Sequence, residues 1–179
     1  SQPENVATNN TLLLLSRLYQ HSSNHFKGFL NDLLDDTDLD AGILFNQQQR
    51  GKGSVPDGSI SQTSFKVVVE TKLHQHFSVQ QLTEHLKSFG QEERKILLSL
   101  SPKIPSASLQ GQIEAEVKKF NAANNTSVKY IPTTFQSIVE KFRNTLEDYD
   151  YDLIPVVDDY EDYCINDKLI TDDEYRMRA

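Results

Sequence analysis

Two residue types that can do chemistry stand side by side in Val69-Glu70-Thr71-Lys72. Val67, Val68 and Val69 form a continuous β-branched run, which predicts a strand buried on both faces. Alternate residues of a strand share a face, so Glu70 and Lys72 point one way and Val69 and Thr71 the other. A carboxylate and an ammonium near a core need partners. Pro56-Asp57-Gly58 lies upstream, across a predicted hairpin from Ser59–Ser61 to Phe65–Lys72. A four-residue connection over Gln62 to Phe65 would pair Ser61 with Lys66, and the same register sets Asp57 opposite Glu70. Opposed like charges are destabilising. Lys72 can neutralise part of that charge, and a hard divalent cation does so better, because carboxylate oxygens are its preferred ligands. Two carboxylates on Mg²⁺ beside a lysine suit phosphodiester hydrolysis. The metal polarises the phosphoryl oxygen and acidifies a bound water, and the lysine orients that water and stabilises developing charge.

Each piece also has a simpler reading. Pro-Asp-Gly is an ordinary turn sequence. An E-x-K pair can be a plain salt bridge on a half-exposed strand. His74 and His76 continue the Glu70 face and could form an H-x-H metal site, although a strand end entering solvent explains them as well. Cys164 has no activating neighbour in sequence and is assigned no chemistry.

The elements around these residues are legible. Glu4 to Tyr19 predicts a helix with a leucine cluster at Leu12–Leu15. Phe26, Phe29, Leu30, Leu33 and Leu34 mark the apolar face of a second helix, which the acidic stretch Asp35 to Asp40 ends. Ile43 to Arg50 reads as a strand, and Gly51 to Gly58 as a turn-rich segment. Ser78 and Gln81 form a capping-box pattern ahead of a helix carrying Val79, Leu82 and Leu86. Ile96–Leu100 and Val128–Ile131 are further strands, with a helix through Leu109, Ile113, Val117 and Phe120 between them. Thr133 and Gln136 suggest a second capping box before Phe135, Ile138, Val139, Phe142 and Leu146. This order predicts an α/β sandwich with a central mixed β-sheet flanked by helices.

Asp57, a twelve-residue gap and then Glu70-Thr71-Lys72 resembles the signature of the PD-(D/E)XK nuclease superfamily, over roughly residues 4 to 145. The resemblance implies a restriction-endonuclease-like fold, metal binding by Asp57 and Glu70, and service of the attacking water by Lys72. It implies a Mg²⁺-dependent deoxyribonuclease, with Mn²⁺ able to substitute and DNA as the partner. Many members add a glutamate from the first helix, for which Glu4 is the candidate. An acid in a first helical turn is also favoured by the helix dipole. Some members carry Q-x-x-x-Y on the helix after the signature. Here it is Gln81-Leu82-Thr83-Glu84-His85, with histidine in place of tyrosine, and Gln81 is equally a capping residue. A non-catalytic module on the same fold, acting in protein interaction or regulation, is the alternative.

The 179 residues suit one domain, with 37% hydrophobic and 25% charged residues. No apolar run approaches the roughly 20 residues of a membrane helix, and no signal-peptide pattern opens the sequence. The single cysteine excludes an internal disulfide, so a reducing cytoplasm is the expected compartment. The net charge of −8 is unevenly spread: residues 146–179 hold 12 of the 26 acids and 3 of the 18 basic residues. Residues 1–149 are therefore read as the nuclease-like domain, and 150–179 as an acidic, tyrosine-rich extension, packed near its start and loosely ordered at its end. No helix-turn-helix or zinc module is visible to read bases. Specificity is expected to come from a further recognition domain, a partner chain or DNA shape, a homo-oligomer is a further expectation, and a bacterial origin follows by analogy with the family.

Overall fold

The computed structural model describes residues 1–34, 44–47, 56–61, 65–74 and 76–171. Two helices open the chain, α1 (Gln2–His21) and α2 (Ser23–Leu34). The strands are β1 (Leu44–Gln47), β2 (Gly58–Ser61), β3 (Phe65–Thr71), β4 (Arg94–Ser101) and β5 (Val128–Thr134). Between and after them lie α3 (Val79–His85), α4 (Ala107–Asn124), α5 (Phe135–Thr145) and α6 (Ile154–Asn166). The predicted acidic end of α2 and most of the glycine-rich turn, at 35–43 and 48–55, lie outside the described residues.

The sheet runs β1-β2-β3-β4-β5. β1, β2 and β3 pair antiparallel, whereas β3, β4 and β5 pair parallel. β3 is thus the junction between two pairing modes, and the expected mixed α/β sheet is present. Ser61 pairs with Lys66 as expected, although the connecting residues 62–64 are outside the described set.

Alternation along β3 and β4 divides the core in two. Val67, Val69, Ile96, Leu98 and Leu100 face α1, α2, α5 and α6, while Val68 and Leu97 face α3 and α4 with Ile113, Val117 and Tyr130. Strands covered on both faces read as unbroken apolar runs, which explains Val67–Val69 and Ile96–Leu98. Phe29 and Phe142 meet edge to face, with ring centroids 6.5 Å apart, where α2 crosses α5. Both are fully buried, and truncating either to alanine is expected to cost about 3–5 kcal/mol.

One expectation is corrected. The cap of α5 is Thr134, whose side chain accepts from Ser137 N, rather than Thr133 with Gln136. Thr133 is instead a buried residue of β5. The C-terminal segment is packed through Ile170, and its last residues, 172–179, where a loosely ordered end is expected, lie outside the described residues. In α6, Val157, Tyr160 and Cys164 enter the main core, followed by Leu169 and Ile170. Thr11 and Tyr160 join hydroxyls at 2.7 Å, tying α6 to α1. Arg143 receives two of the helix's acids, Asp158 at 2.8 Å and Glu161 at 3.1 Å. Burial pushes the Cys164 thiol up to about 12, so it behaves as a small apolar side chain.

Candidate active site

Antiparallel register builds the site. Gly58 opposes Val69, so the next position sets Asp57 across from Glu70. Both carboxylates are buried, Asp57 with 8% and Glu70 with 2% of its surface exposed. They sit on the α3 side of the sheet, since Thr71 turns the other way and bonds Thr8 of α1 at 2.7 Å. The Thr71 backbone N–H donates to Asp57 Oδ2 at 2.8 Å, holding the entry to β2 against β3. Asp57 lies at a bend that leads straight into β2, and its carboxylate bonds the neighbouring strand and not a turn of its own, so of the two readings of Pro-Asp-Gly the geometry matches the opposed carboxylates.

Charge at Asp57 is unbalanced. Burial first, then the negative charge of Glu70, and to a smaller degree Glu4, raise its carboxyl from 3.8 to about 6, against the opposing hydrogen bond from Thr71. Lys72 joins the cluster through the other two carboxylates, its Nζ lying 3.8 Å from Glu70 Oε1 and 3.9 Å from Glu4 Oε2, while the cation that acts on Asp57 is the terminal ammonium, whose lowering effect is outweighed. These separations are ion-pair contacts too long for hydrogen bonds. Lys72 leaves the end of β3 with its N–H still bonded to Leu100 O at 3.0 Å. The parallel pairing thereby carries one residue past the strand and fixes the lysine's origin.

Glu4 does converge on the cluster from the first turn of α1. Its Oε2 accepts from the terminal ammonium at 2.8 Å. Burial raises the Glu4 carboxyl, but that ammonium and then Lys72 outweigh it and hold the group below its ordinary value. Gln81 is placed differently. It is the third residue of α3 and its backbone N–H donates to the Ser78 side chain at 3.3 Å. Among the described residues its side chain bonds none of Asp57, Glu70 and Lys72. His74 and His76 are exposed, as a strand end entering solvent would have them.

His85 is the residue whose role went unread. It is 1% exposed, and its Nε2 lies 2.7 Å from Glu70 Oε2. A signal existed: His85 falls three residues after Leu82 and one before Leu86, on the buried stripe of α3. A histidine there needs a polar partner, and Glu70 is the acid on the facing strand. With Oε2 engaged by His85, Glu70 presents Oε1 to Lys72.

Among the described residues, no group of three or more His, Cys, Asp and Glu side chains is gathered as a metal cage. Two opposed carboxylates are nonetheless a fitting donor set for Mg²⁺, which keeps most of its waters and takes one or two carboxylates plus substrate phosphate. No described helix is long and apolar enough to cross a membrane. No protein-family model matches the chain, and neither a curated protein nor a solved structure shows significant similarity to it.

Proposed function

We propose that this chain is a Mg²⁺-dependent nuclease of restriction-endonuclease-like fold that hydrolyses phosphodiester bonds of DNA through a metal-activated water. The observation that carries this reading is the opposition of Asp57 and Glu70, buried together, with Lys72 ion-paired to one of them. Such an arrangement costs stability unless a cation binds between the carboxylates. It is spent charge in an inert scaffold and useful charge in a metal site. Bound Mg²⁺ would supply a polarised phosphoryl oxygen and a water of lowered pKa.

The chain's own residues have separable roles. Asp57, just before β2, and Glu70, near the end of β3, would hold the metal. His85 fixes the rotamer of Glu70, as partners behind a ligand commonly do. Lys72 orients the attacking water and balances charge on the phosphoryl oxygens. Glu4 holds Lys72 from the α1 side, so the ammonium is positioned by two carboxylates.

The test is cleavage of plasmid DNA with Mg²⁺ or Mn²⁺, by wild type and Lys72→Ala, with EDTA as control. Cutting by wild type that disappears with EDTA and with the variant is the expected result. Wild-type rates from Lys72→Ala would overturn the assignment.

A further inference from the structure

Beside Lys72 opens a cleft of about 410 Å³, between the end of β3 and the segment that joins β4 to α4. Its charge is one-sided. Lys72, Lys103, Lys168, His74 and His76 line it, and no carboxylate does among the described residues. The whole chain carries a net charge of −8, so three lysines with no lining carboxylate depart from its average. Lys103 and Lys168 are both exposed and form no ion pair among the described residues. Between the cations the wall is apolar: Leu73 and the buried Phe77 on one side, Leu109 of α4 on the other.

Lys168 reaches the cleft by an unusual backbone route. α6 ends in a Schellman turn, with Lys168 N bonded to Ile165 O at 3.0 Å and Leu169 N to Cys164 O at 2.7 Å. The residue at the turn has φ 60°, a conformation in which glycine is strain-free and lysine is not. A lysine is thus held where glycine would be easier, and it lines the cleft.

We propose that this cleft seats one unpaired nucleotide of a nucleic-acid strand, next to the phosphodiester presented to Lys72. Lys103 and Lys168 take the phosphate, and the base lies against Phe77, Leu73 and Leu109. A positively charged groove with an aromatic wall is how unpaired strands are held without sequence readout. The volume suits a single small-molecule-sized group and not the body of a duplex. The placement beside the scissile bond rests on the nuclease reading. Capture of the strand does not, and the experiment separates the two.

Three quantities are compared for wild type and the double variant Lys103→Ala/Lys168→Gly. Glycine at 168 relieves the turn, so a folding defect does not mimic the expected loss. With Ca²⁺ replacing Mg²⁺, fluorescence anisotropy reads the affinity of a labelled single-stranded oligonucleotide and of its blunt duplex. The third quantity is hydrolysis of bis(p-nitrophenyl) phosphate, a phosphodiester with no flanking nucleotide. The double variant is expected to lose about tenfold or more in single-strand affinity, with the slope of log K against log salt reduced by about 1.4. Its hydrolysis of the small diester should be unchanged. Undiminished single-strand affinity in the variant would overturn the proposal, as would equal binding of the blunt duplex. If wild type fails to hydrolyse the diester while the variant loses single-strand binding, the nuclease reading falls and the strand-binding cleft stands.

Discussion

Asp57 and Asp150 are two buried aspartates with opposite surroundings. Asp150 lies where the chain leaves α5 for α6. Its carboxylate accepts the Glu147 N–H at 2.8 Å, and His21 and His25 place Nε2 atoms 3.0 and 2.7 Å from its two oxygens. Hydrogen bonding, first from the Glu147 amide and then, against burial, from the two histidines, holds its carboxyl below the ordinary value. Asp57 has one backbone N–H and faces two further carboxylates, and its carboxyl rises to about 6. Burial alone therefore does not mark a site. Asp150 has donors on both carboxylate oxygens and joins α1 and α2 to the last third of the chain, whereas at Asp57 burial and two carboxylates outweigh one amide donor and the terminal ammonium, an imbalance that an added cation would relieve.

The sharpest way to break this contrast is activity. Asp57→Ala, Glu70→Ala and Lys72→Ala should each reduce plasmid cleavage by about 10²–10³-fold or more while circular dichroism stays native. Asp150→Ala should do the reverse, lowering the melting temperature because His21, His25 and the Glu147 amide lose the buried acceptor that joins them, while residual folded protein still cuts. An intact fold without Asp150, or melting at wild-type temperature, would remove the structural half of the comparison. Added Mg²⁺ should stabilise wild type by about 2.7 kcal/mol at a hundred times its dissociation constant, and Asp57→Asn hardly at all, as thermal shift assays can read.

A smaller effect concerns Asp57 without metal. Between pH 3.8 and about 6 the folded protein holds a proton there that the unfolded chain has lost, so stability falls as pH rises through that window. Asp57→Asn should therefore be more stable than wild type in EDTA near neutral pH, by about 1–2 kcal/mol, with the gain vanishing below pH 3.8. The Asp150 contribution runs the other way: it is present above the unfolded carboxyl value and is lost as acid passes the lowered folded one. Denaturant melts of Asp57→Asn, Asp150→Asn and wild type across the acid range should diverge in opposite senses.

Much of this geometry was legible because local pattern and tertiary placement agree. The β-branched run of β3, the tight link to β2 and the alternation of faces suffice to oppose Asp57 and Glu70. What escaped was held by contacts distant in sequence. In α6 the apolar stripe Val157, Tyr160 and Cys164 is interleaved with Asp158, Asp159, Glu161 and Asp162, so composition reads as a solvated tail. Two of those acids are balanced by Arg143 from a different helix, which no local window reveals. His85 escaped for the same reason: its partner is fifteen residues away on another element. The cap of α5 was misread by one residue because Thr133 and Thr134 are adjacent and only the end of β5 decides between them.

The bond between Thr11 and Tyr160 spans 149 positions. Seen from the ribosome, it sets a timetable. At about 5–20 residues per second, α1 waits many seconds for the helix against which it packs. The candidate site residues keep a different schedule, since all of them stand in the first 85 positions: Glu4 on α1, Asp57 just before β2, Glu70 and Lys72 at the end of β3, and His85 in α3. A nascent chain therefore carries every one of these side chains well before α6 emerges to complete the main core.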